Sequence, residues 1–508
     1  MKNRIKHFSR ALAWIKANSI GYNGIVVTSK KRVIYPEVSG YYIPSLLQWG
    51  ERDMATSFAK YLCSIQKDDG SWYDCEDKDP YVFDSAQILK GLIAIRDILP
   101  EVDKNIIKGC DWILSNMQSD GRLTTPSKDA WGDSEDFCSE LIHIYCLSPI
   151  KKAGEIFNKP EYLAAVEKIL GYYKKEKIDE IKNFSLLSHF YAYVMEGLFD
   201  LGEIDLCRES MERLEKYRNK KGGIPGLNDV PWICSTGLLQ LAVVWYKLGE
   251  LEKGNSLFYY GLKLQNESGG WYGSYPAPGL LSKFYHGRKK PYYFPNEEIS
   301  WVVKYFLDAL ALKEKLEFEK QAPSFLDNID EKDGRYILIK ELIDAMAAQM
   351  GRKITICDVG CGKGRYLKRL VEDCPDNDYY ASDISEKVMA GIDYIKEKRL
   401  GSMTNIAYTD NSFDVVYACE SFEHAVNLKS AFKELYRITK LGGKLAIIDK
   451  PVEKLGRLEI YEWEQWIDDK DISAYTEECG GRLEIVKSVP YENKDDGLFR
   501  AWIVTKKA

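Results

Sequence analysis

The stretch ITICDVGCGKGRYLKRL, residues 354–370, decides the fold of the C-terminal part of the chain. Its first six residues are mostly apolar and rich in β-branched side chains, which is typical of a buried strand. A turn with three glycines, Gly360, Gly362 and Gly364, comes next, and a helical pattern begins directly after it. Glycines let the backbone pass close to a ligand, and a helix N-terminus offers free N–H groups. The stretch therefore predicts a strand, a ligand-binding turn and a helix.

Further strand patterns continue this arrangement along the chain. The run YYAS at 379–382 ends in Asp383, about 20 residues after the glycine turn, where a carboxylate can bind the ribose hydroxyls of a nucleotide. Two later runs, NSFDVVY at 411–417 and LGGKLAII at 441–448, have the apolar character of buried strands, and CESFEH lies between them at 419–424. Strand patterns that alternate with helical patterns predict a parallel sheet covered by helices.

These motifs, in this order, resemble the class I S-adenosylmethionine-dependent methyltransferases over about residues 335–508. The resemblance implies an α/β Rossmann-like domain that binds S-adenosyl-L-methionine and transfers its methyl group. It also implies cofactor-binding roles for particular residues. The loop around the methionine part would comprise Asp358, Gly360, Cys361, Gly362 and Gly364; Asp383 would bind the ribose hydroxyls, and Ile384 would pack on the adenine. An NAD-type Rossmann domain or an inactive copy is the alternative.

Three further positions are expected to contact the cofactor. The family often has Asp followed by an apolar residue before its NSFD turn, and Ser402 and Met403 stand there in this chain. A serine hydroxyl can still accept a hydrogen bond from the adenine amino group, although more weakly than a carboxylate. Arg335, before the first strand, is placed to reach the cofactor carboxylate.

Two side chains after the fourth strand are candidate catalytic residues. Glu420 would lie beneath the transferred methyl group, and His424 would act as general base if the acceptor is a hydroxyl. Histidine suits this role because its unperturbed pKa lies near neutrality. The alternative is that His424 only caps the following helix.

The N-terminal part repeats an amphipathic helix that ends in a glycine-rich turn, as in QKDDGSW at 66–72 and QNESGGW at 265–271. Glycine is expected just past a helix C-terminus. A more apolar helix follows each turn, and these begin near Glu37, Asp84, Asp133, Leu187, Trp232 and Glu297. Six helix pairs predict an all-α (α/α)6 toroid over residues 1–315, with a linker at 316–334 and the methyltransferase domain at 335–508. An open solenoid is the competing architecture.

The turns that lead into the inner helices would lie at one mouth of the toroid. They supply the predicted substrate-binding residues Glu37, Trp72, Asp84, Asp133, His189, Trp232, Trp271, Tyr275, Glu297 and Glu298. Carboxylates and aromatic rings suit a sugar, whose hydroxyls need acceptors and whose C–H faces stack on rings. The architecture resembles the toroids of carbohydrate-active enzymes, and the Gln-Gly-Trp turn resembles terpene-cyclase and prenyltransferase repeats. The alternatives are that such an Asp is a helix N-cap and such a Trp packs between repeats.

Composition excludes several classes of protein. The chain has 71 Lys and Arg against 77 Asp and Glu, and this net charge of -6 argues against a nucleic-acid partner. No apolar stretch is long enough to predict a membrane span. The 12 cysteines show no paired spacing and no secretory signal precedes them, so we expect a cytoplasmic protein without a metal site.

The sequence therefore predicts a methyltransferase that O-methylates a sugar or glycan in polysaccharide or glycoconjugate biosynthesis, with the toroid binding or processing the carbohydrate. Three alternatives stay open. The toroid is a separate glycoside hydrolase, lyase or epimerase; the acceptor is an isoprenoid or another natural product; or the toroid is only a protein-interaction scaffold.

Overall fold

The computed structural model describes residues 2–126, 139–276, 291–461 and 464–507. The chain forms two compact units. Residues 7–47 and 52–313 make up the N-terminal unit, whereas residues 1–6, 48–51 and 314–508 make up the C-terminal unit. In the described ranges, no helix combines the length and the apolar character needed to cross a membrane.

The N-terminal part is almost entirely helical. Its helices are α1 (Lys2–Ala17), α2 (Pro36–Gln48), α3 (Arg52–Ile65), α4 (Val82–Ile95), α5 (Asp103–Ser115), α6 (Leu147–Ile156), α7 (Pro160–Glu176), α8 (Ile178–Lys182), α9 (Ser188–Leu201), α10 (Ile204–Leu214), α11 (Ser235–Lys247), α12 (Leu251–Leu262) and α13 (Ser300–Gln321). A 3₁₀ segment, Glu140–Cys146, leads into α6. Two short hairpins pair β1 (Ser19–Ile20) with β2 (Gly24–Ile25), and β3 (Trp232–Cys234) with β4 (Ser274–Pro276).

Helices α2, α4, α6, α9, α11 and α13 form the inner ring of a closed (α/α)6 toroid. The predicted all-round burial of the inner helices is clearest in α11, where every residue from Ser235 to Tyr246 is buried. Helices α1, α3, α5, α7, α10 and α12 each bury one face and form the outer ring. Inner neighbours approach closely, since a Cβ on Gly91 of α4 would lie 2.1 Å from the carbonyl oxygen of Gly40 in α2.

The glycine turns join successive outer helices and close the ring. A Cβ on Gly70, after α3, would lie 2.3 Å from the carbonyl oxygen of Lys108 in α5. The same contact recurs after α12, where a Cβ on Gly269 would lie 2.1 Å from the carbonyl oxygen of Arg10 in α1. The last repeat therefore packs on the first, which distinguishes a toroid from an open solenoid.

The C-terminal unit contains a seven-stranded sheet flanked by helices. Its elements after α13 are α14 (Gly334–Met350), β5 (Thr355–Val359), α15 (Arg365–Asp373), β6 (Asp378–Asp383), β7 (Glu397–Leu400), β8 (Phe413–Cys419), α16 (Leu428–Ile438), β9 (Thr439–Asp449), α17 (Asp469–Glu478), β10 (Arg482–Val486) and β11 (Arg500–Thr505). The strand order is β10-β11-β9-β8-β5-β6-β7. Strands β7, β6, β5, β8 and β9 are parallel, and β11 is antiparallel to both its neighbours.

The sheet is a doubly wound Rossmann-like sheet, as predicted, and its topology locates the site. All seven residues of β8 are buried because helices cover both faces, which explains why the sequence there is apolar apart from Asp414. The order reverses between β5 and β8. At such a switch point, the carboxyl ends of the strands border a crevice that binds ligands.

The segment expected to be a linker, 316–334, is partly helical. Helix α13 continues to Gln321, and the 3₁₀ turn Ala322–Ser324 follows it. The sequence LKEKLEFEKQ at 312–321 explains this extension, because it consists of strong helix formers without Gly or Pro. Helix α14 begins at Gly334, where the linker was expected to end.

Candidate functional site

The glycine turn connects β5 to α15 at the carboxyl edge of the sheet. Gly360, Gly362 and Gly364 all have positive φ angles, of 73°, 54° and 79°. A Cβ on Gly360 would lie 2.5 Å from the Cβ of Ser421, whereas a Cβ on Gly362 would meet none of the described atoms within 4 Å. The turn is therefore tight against the protein on one side and open on the other.

Asp383, at the end of β6, faces this turn. The N–H of Gly362 donates to its Oδ2 over 2.9 Å, and the N–H of Ser385 donates to its Oδ1 over 3.0 Å. Each carboxylate oxygen keeps a further lone pair for a ligand. Burial raises the pKa of Asp383, and the two N–H donors oppose that shift.

Asp358 is the second acid of the site and is only 3% exposed. The hydroxyl of Tyr417 donates to its Oδ2 over 3.0 Å. Burial, reinforced by the charge of Asp383, raises the pKa of Asp358 to about 8, although Tyr417 opposes the shift. Near neutral pH, Asp358 therefore holds a proton that it can donate.

Glu420 directly follows β8 and has a φ of 54°, which is unusual for a residue with a side chain. Its carboxylate pairs with Arg365 and, at 2.9 Å, with Arg335. The hydroxyl of Tyr366 also donates to it, over 3.2 Å. Such a backbone conformation persists only where surrounding contacts impose it, and three partners fix this side chain.

Arg335 does not occupy the predicted position in the cofactor site. It is 3% exposed, and Asp333 binds its guanidinium through two hydrogen bonds of 2.9 and 2.7 Å. Glu420 pairs with the remaining nitrogen of the guanidinium, Nη1. The donors that were predicted to bind a cofactor carboxylate therefore bind carboxylates of the protein. Arg335 lies outside the cavity lining that the described residues form.

Of the two arginines that pair with Glu420, Arg365 is the one that lines the cavity, and the sequence analysis missed it. It is the first residue of α15, directly after the glycine turn. The signal was present, because a cation immediately after a ligand-binding turn lies beside the free N–H groups of the helix N-terminus. The sequence could not show which of the two arginines is buried away from the cavity.

His424 lies in the cavity lining within a 3₁₀ turn, Phe422–His424, instead of capping the next helix. Its Nε2 lies 4.0 Å from Oε1 of Glu423. Burial, assisted by the positive charge of Lys450, lowers the pKa of His424 to about 3. The imidazole is therefore neutral near pH 7 and only weakly basic, which disfavours the predicted role as general base. The N-cap of α16 is Asn427, which accepts from the N–H of Ser430.

These residues surround a cavity of about 380 Å³ within the C-terminal unit. Its lining includes nearly all of the predicted cofactor and catalytic residues, namely Asp358, Gly360, Cys361, Gly362, Asp383, Ile384, Ser402, Met403, Glu420 and His424. Gly364 is the N-cap of α15 and lies behind the turn, where a Cβ would meet the hydroxyl of Tyr394 at 2.6 Å. The structure therefore brings residues from β5, β6, β8 and their loops to one cavity.

S-adenosylmethionine fits the residues present. The cavity volume is in the range of small-molecule sites. A carboxylate with unused lone pairs stands at the end of β6, and the glycine turn leaves room beside it. Ile384 and Met403 offer apolar contacts for a flat base. Ser402 is engaged with Thr404, whose Oγ1 lies 2.9 Å from its hydroxyl.

The predicted sugar-binding residues of the toroid turns do not form an open site in the same way, because three of the predicted sugar-stacking rings are fully buried. Trp72, Trp232 and Trp271 each have 0% exposure. The indole N–H of Trp72 donates to the carbonyl of Leu62 over 2.7 Å, and that of Trp271 donates to Gly261 over 2.8 Å. These rings pack between repeats and cannot stack a sugar, so the prediction of their role was wrong.

Other predicted toroid residues also have internal partners. Glu298 is 9% exposed and accepts from Trp14 over 2.7 Å and from Asn266 over 2.8 Å, which ties the last repeat to α1. Glu297 accepts from Thr28 over 2.7 Å. The remaining members are Tyr275, whose hydroxyl accepts from the N–H of Tyr272, and His189, whose Nδ1 lies 2.8 Å from Oε1 of Gln240. Asp133 lies outside the described residues.

Glu37 and Asp84 remain as a pair of buried acids. They stand in the first turns of the neighbouring inner helices α2 and α4, and both are buried. Burial raises the pKa of Glu37 to about 7, with Tyr35 and Lys90 opposing the shift. Burial and the charge of Glu37 raise the pKa of Asp84 well above its usual range. The N-cap of α4 is Tyr81, so Asp84 does not have the capping role that was the alternative.

Comparisons with known proteins agree with the C-terminal geometry. Residues 357–447 match a family model described as "Methyltransferase domain". This segment is a methyltransferase domain. It has the fold of the class I S-adenosylmethionine-dependent enzymes, and S-adenosylmethionine is the cofactor of such domains. The match runs from within β5 to within β9 and includes Asp358, Asp383 and Glu420.

Curated relatives match the methyltransferase domain only. A sterol 24-C-methyltransferase of Aspergillus fumigatus is 30% identical over 114 residues, covering 20% of this chain and 30% of that protein. A phosphoethanolamine N-methyltransferase of Arabidopsis thaliana is 29% identical over 146 residues, covering 27% of this chain and 29% of that protein. The chain thus spans less than a third of the length of either relative. Their names describe different acceptors, so the similarity identifies the cofactor chemistry and not the acceptor.

A solved structure similar to the larger part of the chain is an unsaturated glucuronyl hydrolase specific for heparin. It is 12% identical, with a TM-score of 0.48, and covers 63% of this chain and 98% of that chain.

Proposed function

We propose that this chain transfers a methyl group from S-adenosylmethionine to a hydroxyl of a sugar or glycan. The observation that carries the methyl transfer is the arrangement of Asp383 opposite the open side of Gly362, with both groups lining one cavity. Toroid architecture and the paired acids Glu37 and Asp84 support the carbohydrate part of the proposal. The cytoplasmic location expected from the scattered cysteines stays a prediction.

Different residues of the C-terminal unit would bind different parts of the cofactor. Asp383 would accept hydrogen bonds from the ribose hydroxyls, and Ile384 and Met403 would hold the adenine by apolar contact. Arg365 would bind the carboxylate at the amino-acid end, while Glu420 fixes the guanidinium and accepts from the amino group. When bound, S-adenosylmethionine supplies an electrophilic methyl group on a positively charged sulfur. Holding the acceptor in line with that group can provide most of the rate enhancement.

Calorimetry with Asp383→Asn tests the cofactor assignment. We expect wild-type protein to bind S-adenosylmethionine with a Kd on the order of micromolar, about -8 kcal/mol. The variant loses at least about ten-fold in affinity, because an amide cannot accept from both ribose hydroxyls while the N–H of Gly362 and Ser385 also need acceptors. Asp376→Asn, at an exposed acid before the same strand, is the matched control. Equal affinities in the two variants, or no binding to wild type, would exclude the assignment.

A second activity in the toroid is the other candidate, and the pair Glu37 and Asp84 favours it. Two carboxyl groups whose environments separate their proton affinities can serve as acid and base in glycoside hydrolysis. Asp84→Asn is expected to abolish turnover of an oligosaccharide while methyl transfer from labelled S-adenosylmethionine continues. Loss of methyl transfer in the variant, with folding intact, would instead indicate that the toroid only presents the acceptor.

A further inference from the structure

Three side chains with metal-binding groups converge in the lining of the methyltransferase cavity. They are Glu423, His424 and Glu464, and one ligand atom of each lies within 4.8 Å of the others. Glu423 and His424 follow β8, whereas Glu464 lies in the segment after β9. Carboxylate oxygens and an imidazole nitrogen are common ligands of divalent cations.

Two atoms of this cluster are buried without an apparent use. Glu423 is 1% exposed, and Lys450 pairs with its Oε1 only. Its Oε2 has no hydrogen-bond partner among the described residues, and the same is true of Nδ1 of His424. Buried polar atoms in a folded protein nearly always have a partner, and an absent ion is one explanation of an exception.

Three buried carboxyl groups lie near the side chain of Lys450. They belong to Asp449, Glu423 and Glu464, with exposures of 0%, 1% and 8%, and Lys450 forms an ion pair with Glu423. Asp449 accepts from the backbone N–H of Glu423 and of Lys450, which fixes the backbone of both residues beside it. Buried carboxyl groups are costly to ionise without a compensating cation, and a divalent cation would supply that compensation.

We propose that this cluster binds a divalent cation through Oε2 of Glu423, His424 and a carboxylate oxygen of Glu464. The mixed oxygen and nitrogen ligands favour an ion such as Mn²⁺ over Mg²⁺, which prefers oxygen alone. This inference rests on the proposed methyl transfer and makes it more specific. A cation in this cavity would take the acceptor's oxygen as a further ligand, so that its hydroxyl proton leaves to water more easily. The acceptor is then an alcohol or phenol and not an amine or carbon.

Binding of Mn²⁺ to the full-length protein, freed of metal with EDTA, tests the site without reference to turnover. Free Mn²⁺ is counted by electron paramagnetic resonance. We expect one ion per chain in wild type, with a Kd on the order of 10 µM. Glu464→Gln and His424→Asn are each expected to weaken binding at least about ten-fold. Glu477→Gln, an exposed acid on α17, is the control and binds as wild type does.

Calorimetry with S-adenosylmethionine on the same samples separates the two proposals. Retained cofactor binding in Glu464→Gln shows that the variant is folded and that the loss of Mn²⁺ is local. If Glu464→Gln does not fold, the same two binding measurements on His424→Asn test the metal site. Absence of Mn²⁺ binding to wild type at about 1 mM, or equal binding in wild type and both variants, overturns the metal site and leaves the methyltransferase assignment intact. Mn²⁺ binding without cofactor binding sustains the site and overturns the methyl transfer.

Discussion

At the scale of single residues, the backbone of Glu420 and its partners organise one end of the cofactor cavity. A positive φ at a residue with a side chain costs on the order of 1 kcal/mol, and here it turns the carboxylate towards two arginines. Arg335 is buried against Asp333, while Arg365 lines the cavity. The two cations therefore differ in function, because only one of them can reach a ligand.

This difference predicts which part of the cofactor Arg365 recognises. Arg365→Ala is expected to lower the affinity for S-adenosylhomocysteine at least about ten-fold, because a charge-assisted contact to the carboxylate of the ligand is lost. Affinity for methylthioadenosine, which has no amino-acid group, is expected to stay within about two-fold. Calorimetry with both ligands measures the contrast. Lys368→Ala, one turn further along α15, is the control, and an equal loss for both ligands would refute the role.

At the scale of elements, the toroid depends on glycine turns that lie against the next outer helix. Gly269 has a φ of 98°, and its Cα faces the carbonyl of Arg10 so closely that a side chain cannot fit. Gly202, after α9, has a similar φ of 92°, yet a Cβ there would meet none of the described atoms within 4 Å. Both glycines have a positive φ, but only Gly269 also makes the contact that closes the ring. A comparison of the two therefore distinguishes the cost of backbone strain from the cost of losing that contact.

Alanine at each position measures that contact. Gly202→Ala is expected to cost about 1 kcal/mol, the penalty of a left-handed conformation alone. Gly269→Ala is expected to cost at least about 2 kcal/mol more, because the helix α1 must move away. Urea unfolding of the toroid, followed by circular dichroism, gives both values. Similar losses in the two variants would mean that the turn does not hold the ring closed.

At the scale of the whole molecule, the helical unit buries acids that resist ionisation. The pKa of Glu37 is raised from its ordinary value of 4.5 to about 7 by burial, so the folded state binds a proton that the unfolded chain has released. This contribution to stability is complete below pH 4.5 and is lost as the pH rises towards 7. Glu37 should therefore make the free energy of unfolding of the toroid larger in mild acid than at neutral pH.

Glu37→Gln tests this expectation, because the amide is neutral at every pH. Between pH 5 and pH 7.5, wild type is expected to lose up to about 3 kcal/mol of unfolding free energy that the variant does not lose. Thermal unfolding at the two pH values compares them. Glu267→Gln, at an acid on the surface, should keep the wild-type dependence. A variant that remains as pH-dependent as wild type would show that Glu37 ionises freely.

Local sequence determined the architecture and the core of the cofactor site. Gly360, Gly362 and Gly364 needed positive φ angles, and Asp383 ended an apolar strand a fixed distance later. Strand patterns, helical patterns and glycine turns act over a few residues, so one sequence contains them in full. The same reasoning placed five of the inner helices within three residues of their observed starts, whereas the third, predicted near Asp133, begins at Leu147. A helix that is apolar all round must be buried.

Tertiary structure alone decided which of the predicted site residues can reach a ligand. Trp72, Trp232 and Trp271 are identical in type to exposed sugar-binding rings, and only the neighbouring helix shows that they are packing residues. Arg335 lost its predicted role to contacts with Asp333 and Glu420, and Glu464 joined His424 from 40 residues away. Burial depends on surfaces that distant segments cover, and a local pattern contains no information on them.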